Sequence, residues 1–317
     1  MSIQSIIQGY QPARKFLILI GFFLFCLGIS SLVQVLILFS VADIKSMNDI
    51  ASLTNFSNPN IIKGMKIAQA LNAIITFIVP ACLFALFSSE KKLDYLKMQN
   101  GFHIVFGIVV VLLVFSAMPL INWMGEVNSH LTLPGFLSGV ENWMKSTEES
   151  LKRLTDAFLQ MNNMTDLIVN IIVVALLAAV GEELFFRGAM QNVFLEWTKN
   201  SHAAVWITAI IFSALHAQFY GFLPRMILGV VLGYLYIWSG SLWLSILFHF
   251  LNNGLAVLFS YLIAKGMISE TAETVGAGDT PIILVIASTV VSIGLMLFLY
   301  KQAIKSQNIT QNNRTIE

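Results

Sequence analysis

Six side chains in the second half of this 317-residue chain have the types and spacing to hydrolyse a bond: Glu182, Glu183, Arg187, His216, His249 and Asn253. Glu182 and Glu183 end an otherwise uncharged apolar run, Leu167 to Val180. Ionisable side chains at membrane depth cost roughly 2.5 to 3.5 kcal/mol each on insertion scales, so they occur there mainly when paired or when chemistry needs them. On an α-helix, positions four apart share a face while adjacent ones diverge by about 100°. Glu183 is therefore expected to pair with Arg187, a structural role, leaving Glu182 free. Desolvation disfavours the charged form of a carboxylate and makes it a more willing proton acceptor, the property of a general base. His216 closes the segment FSALH, one turn after Phe212, and His249 opens HFLNN, one turn before Asn253. A single intramembrane His ordinarily makes an interhelical hydrogen bond. Two His, an Asn and a carboxylate pair together supply a base, an orienting group and donors for developing negative charge. His103, His130 and His202 fall at span edges or in loops and are expected to be solvated or interfacial.

The elements that must hold these groups are membrane helices. Hydrophobic residues make up 57% of the chain and charged ones 11%, with a mean hydropathy of +0.78. That balance excludes an ordinary soluble domain. A spanning helix needs about 20 apolar residues, and about eight runs qualify or nearly do. They are Phe16 to Val41, Ile67 to Phe87, Phe102 to Trp123, Leu167 to Phe186, Ala203 to Phe219, Phe222 to Trp238, Leu242 to Ala264 and Pro281 to Tyr300. The expected fold is an all-α, polytopic transmembrane bundle forming one integral membrane domain over residues 1–317, with an uncleaved first span. Trp123, Trp197, Trp206, Trp238 and Trp243 lie near span ends, as an aromatic belt requires. With eight spans both termini share a side, and the denser Lys and Arg on that side predict cytoplasmic termini.

Residues 124–166 form a connection too long to be structureless. Ser138 and Glu141 fit a capping box, and Val140, Met144, Leu151, Leu154, Phe158 and Met161 recur mostly at helical steps. An amphipathic helix is expected, packing against the protein or the headgroup boundary, with a gate over the site as the functional alternative. The polar segment 302–317 is expected to fray. Gly229 and Gly233, four apart, allow a neighbouring helix to approach closely. Cys26 and Cys82 lie within spans and are expected to pack rather than react. The net charge of +1, with no basic cluster, excludes a strong nucleic-acid interaction.

EELFFR, FSALH and HFLNN fit the patterns EExxxR, FxxxH and HxxxN, in the order and approximate spacing of the CAAX protease and bacteriocin-processing family, also called CPBP or Abi proteins. The approach GSLWLSILFH also resembles that family, and the likeness covers residues 165–256. The resemblance implies an intramembrane glutamate-type endopeptidase, similar to type II CAAX prenyl endopeptidases. It further implies that Glu182 activates water with help from His216. His249 and Asn253 would then form the oxyanion hole, while Glu183, Arg187 and Phe212 support the site. The implied substrate is a hydrophobic, prenylated or otherwise lipid-modified peptide or protein, met in a bacterial cytoplasmic membrane or a eukaryotic endomembrane. The first three spans and the connection match no family motif.

Zinc is the obvious competitor, since two His and one Glu form a known catalytic set. A zincin helix would show HExxH, and no His lies within a turn of Glu182, so neither metal nor cofactor is expected. A non-catalytic scaffold, immunity or maturation partner could use the same cavity to grip a peptide. A proton-coupled transporter is disfavoured because no internal repeat is found and the polar groups cluster on late spans.

Overall fold

The computed structural model describes residues 5–41 and 58–314, with the backbone alone for 59 and 306–314. Nine helices carry the architecture of these residues: α1 (Pro12–Val41), α2 (Asn60–Ser88), α3 (Ile104–Ser129), α4 (Ser138–Phe158), α5 (Met164–Thr198), α6 (Ser201–Ala214), α7 (Phe222–Ser239), α8 (Leu242–Ala264) and α9 (Ile282–Arg314). Seven helices, all but α4 and α6, are long and apolar enough to cross a bilayer, and the chain is an integral multi-pass membrane protein.

The count differs from eight at one element. The expected fifth span, Ala203 to Phe219, is helical only over the 14 residues of α6, about 21 Å at 1.5 Å per residue. Its apolar pattern continues, but the backbone turns after Leu215, where Ala217 takes a left-handed φ of 53°. A short 3₁₀ turn, Phe219–Gly221, then leads into α7. Hydropathy reports apolar content and is silent about such a break. In the opposite direction, α5 runs for 35 residues, beyond what a bilayer core requires.

Local signals explain the joints. Asn200 caps α6 through the amides of His202 and Ala203, directly after Lys199 leaves α5 in the left-handed region. Ser241 likewise caps α8 after Gly240 ends α7. The capping box expected at Ser138 does not form, because Leu137 is the cap residue and makes no side-chain bond. Glu141 instead accepts from the Leu133 amide and pairs with Lys145 at 2.7 Å. The last helix continues to Arg314, so most of segment 302–317 is helical rather than frayed; residues 315–317 lie outside the described ones. Cys26 is buried as expected, but Cys82 is exposed on the outer face of α2.

Two apolar clusters hold the bundle. Leu19, Phe84, Phe185, Phe186, Tyr236 and Leu242 join α1, α2, α5, α7 and α8. Val110, Leu113, Leu235, Leu244, Phe248 and Leu299 join α3, α7, α8 and α9. Large side chains such as Leu17, Phe25 and Leu32 point outward, the arrangement suited to lipid rather than water. By contrast α4 is loosely held: Ala157 alone is buried along its length, and Trp143 meets Phe219 at 5.2 Å between rings.

Candidate active site

The site is built around an irregular helix. α5 widens into π-helical turns at Ile171–Leu177 and Leu184–Gln191, with an α-helical stretch, Ala178–Glu183, between them. π turns shift the register of a helix and are frequent at functional sites. Just before the carboxylates, Gly181 lies so close to α2 that an added Cβ would stand 3.0 Å from the Ala73 carbonyl oxygen. That contact falls on a third π turn, Ala73–Ile78.

Adjacent carboxylates separate as helix geometry requires. Glu183 and Arg187 are fully buried and paired at 2.9 Å. The second arm of Arg187 donates to the Gly229 carbonyl at 3.1 Å, and its guanidinium carbon lies 4.6 Å from the centre of the Phe212 ring. Gln191, one turn on, donates to the Gly233 carbonyl in the same way. The glycine pair of α7 therefore does more than admit a neighbour. It admits α6, since a Cβ on Gly229 would lie 3.1 Å from that of Ala209, and it offers carbonyls to α5.

Glu183 has a second partner that spacing could not reveal: the same oxygen lies 2.8 Å from His249 Nδ1. A carboxylate only accepts, so Nδ1 carries the proton and Nε2 faces away from Glu183. His216, on the turn that ends α6, is fixed alike, with Nδ1 2.8 Å from the Phe212 carbonyl and its ring edge-on to Phe212. Both Nε2 atoms point at one carboxylate oxygen, Glu182 Oε2, at 3.8 Å from His249 and 4.0 Å from His216. That oxygen is buried and lacks a hydrogen-bond partner. When neutral, a ring fixed this way presents a lone pair at Nε2 towards the carboxylate oxygen. The spacing is too long for direct bonds but fits a shared water: two legs of about 2.8 Å meeting near 90° span about 4 Å.

These groups open into a cavity of about 630 Å³ that is also lined by Asn252 and Asn253 of α8. Asn253 makes no hydrogen bond to Glu182 or to either histidine. Its amide donates weakly to the Val174 carbonyl at 3.5 Å and its oxygen accepts from Asn252 at 3.3 Å. The structure thus gathers Glu182, His216, His249 and Asn253 around one space, with Glu183, Arg187 and Phe212 behind them. His103, His130 and His202 are exposed and engaged elsewhere. The apolar face of α4 supplies Leu151, Leu154 and Phe158 to the cavity wall. Arg225, Gln218 and Asn252 also line it and were missed from sequence. For Arg225 the signal was available, since an Arg in the apolar run of α7 raises the same question as Glu182. Among the described residues, no group of three His, Cys, Asp or Glu side chains is arranged to hold a metal ion.

Comparison with known proteins bears on the same stretch. The family described as Type II CAAX prenyl endopeptidase Rce1-like matches residues 164–255, which contain every polar group at the centre of the site. Two bacterial relatives align with parts of the chain. They are the "Uncharacterized protein YpbD" of Bacillus subtilis, 32% identical over 88 residues, and an "Uncharacterized 24.3 kDa protein" of Escherichia coli, 34% identical over 100 residues. These alignments cover 26% and 30% of this chain, and it spans less than half the length of either relative, 42% and 45%. No solved structure matches. The segment of this chain that carries the site is thus similar to the Rce1-like family of type II CAAX prenyl endopeptidases.

Proposed function

We propose that the protein is an intramembrane endopeptidase that cleaves hydrophobic or lipid-modified peptides near their carboxyl end, using a water activated by Glu182. The observation that carries this reading is the buried, partnerless Oε2 of Glu182, 3.8 and 4.0 Å from two imidazole nitrogens inside a cavity of peptide-accommodating size. A water placed between Glu182 and His216 donates one O–H to each. Glu182 takes the proton as the oxygen attacks the scissile carbonyl, and returns it to the leaving amine when the C–N bond breaks.

The oxyanion needs donors, and the hydrogen bonding of His249 sets a condition on it. With Nδ1–H committed to Glu183, Nε2 donates only when the ring is an imidazolium. Asn253 supplies the second donor after a small rotation from its long bond to Val174. Hydrolysis by this route uses no metal. The membrane is bacterial cytoplasmic membrane or endomembrane, and the substrate enters from the lipid.

The test compares peptides accumulating in membranes of cells expressing the wild-type protein and Glu182→Gln. Loss of a discrete set of carboxyl-terminal fragments in the variant is expected. Identical peptide profiles, with both proteins present at equal levels, would overturn hydrolysis and leave a binding role.

A further inference from the structure

Arg225 is the cation of the cavity that the hydrolytic machinery does not use. It stands in the first turn of α7, with one guanidinium nitrogen hydrogen-bonded to the Gln218 side chain. Its group rests against Gly221, where even a Cβ would come within 3.3 Å. The other nitrogen, Nη1, is buried and has no partner. Arg187 shows what a buried guanidinium in this fold normally has: a carboxylate, a backbone carbonyl and an aromatic ring. Arg225 lacks the carboxylate.

Two carboxylates lie within electrostatic reach of it, Glu182 and Glu148. Glu182 faces the histidines. Glu148 belongs to α4, one turn before the cavity-lining Leu151, and its Oε2 is also buried without a partner. Two half-buried side chains of opposite charge thus each hold one buried atom without a partner, Arg225 Nη1 and Glu148 Oε2, and Arg225 lines the cavity. Leaving a charged group without a bond carries a larger penalty than a neutral one, so a third group that satisfied Arg225 would be held firmly. An apolar peptide carries one obligatory negative charge, its terminal carboxylate.

We infer that Arg225, steadied by Gln218, is the subsite that takes the C-terminal carboxylate of the peptide, and that Glu148 competes for it in the free protein. Resting on the hydrolytic reading above for its substrate class, this assigns a specificity-determining residue. Guanidinium and carboxylate form the planar, two-bond pair that an ammonium cannot match. Anchoring the chain end there fixes how far from it Glu182 can cut.

The experiment measures binding of a short apolar peptide with an N-terminal fluorophore, as the free acid and as the C-terminal amide, to full-length Glu182→Gln protein in lipid nanodiscs. The acid is expected to bind on the order of 10- to 100-fold more tightly than the amide. Adding Arg225→Gln should collapse that ratio towards one. Arg225→Lys, which keeps the charge and guards against a folding artefact, should retain part of it. Glu148→Gln should tighten acid binding and leave amide binding unchanged. Equal affinity for acid and amide, or a ratio indifferent to Arg225→Gln, overturns the inference. So does an amide peptide bearing an internal Glu that binds as well as the acid, because the site would then read side chains. Wild-type protein that binds the acid selectively but leaves it uncut would refute hydrolysis instead, so the two failures are separable.

Discussion

Replacing Arg187 by Met tests the scaffold on which every proposed role depends. Arg187 has no exposed surface, and its removal strands three groups at once: the Glu183 carboxylate at 2.9 Å, the Gly229 carbonyl at 3.1 Å and the face of Phe212. Breaking a buried ion pair from one side costs about 3 to 5 kcal/mol, because the surviving charge stays buried. An orphaned acceptor adds about 1 to 3 kcal/mol, though the two are not additive. His249 softens the loss, since its Nδ1–H still reaches Glu183, so the expected destabilisation is at the low end, about 3 kcal/mol. The double variant Glu183→Gln/Arg187→Met removes both charges and should recover more than half of that. Unfolding in mild detergent, titrated with a denaturing detergent and followed by tryptophan fluorescence, measures all four corners of the cycle. If Arg187→Met alone leaves the midpoint unchanged, or the double variant is no better than the single, the pair is not the buried strut described above.

The remaining predictions separate chemistry from support. Glu182→Gln and His216→Ala should abolish peptide cleavage by purified protein with unfolding midpoints near that of the wild type; cleavage at the wild-type rate by either contradicts the assigned roles. Asn253→Ala should leave a remnant, about 100- to 1,000-fold slower, the usual loss of one oxyanion donor. Cleavage should survive exhaustive chelation and dialysis, and activity restored only by added zinc would replace the proposed route with a metal one. Gly233→Ala should destabilise by about 1 to 3 kcal/mol, since its Cβ would stand 2.8 Å from Gln191 Oε1 and 2.9 Å from a stiff Val205 methyl; a neutral result in the unfolding assay would show that α6 can retreat.

What the sequence disclosed and what it withheld divide along the range of the interactions. Pairing of Glu183 with Arg187 was readable because it is local, four residues on one helix. The same oxygen's bond to His249, 66 residues away, was not. Yet that bond bears on the proposed chemistry, since it commits Nδ1 and makes the proposed donor role of Nε2 conditional on a second proton. Helices were legible from apolar content, but the break at Ala217 was not, because Leu215 to Phe219 is no more polar than a span end. Without that break His216 would continue the α6 register; with it, the ring sits on a turn whose backbone is free to aim Nε2 at Glu182. The amphipathic period of α4 announced a helix and left its partner open. Leu151, Leu154 and Phe158 turn out to face the cavity rather than a neighbouring helix. A helix with one buried residue cannot owe its position to packing of the ordinary kind. Its apolar face is matched to a space that a hydrophobic peptide would fill, so occupancy of that cavity should stabilise α4 as well as position the substrate.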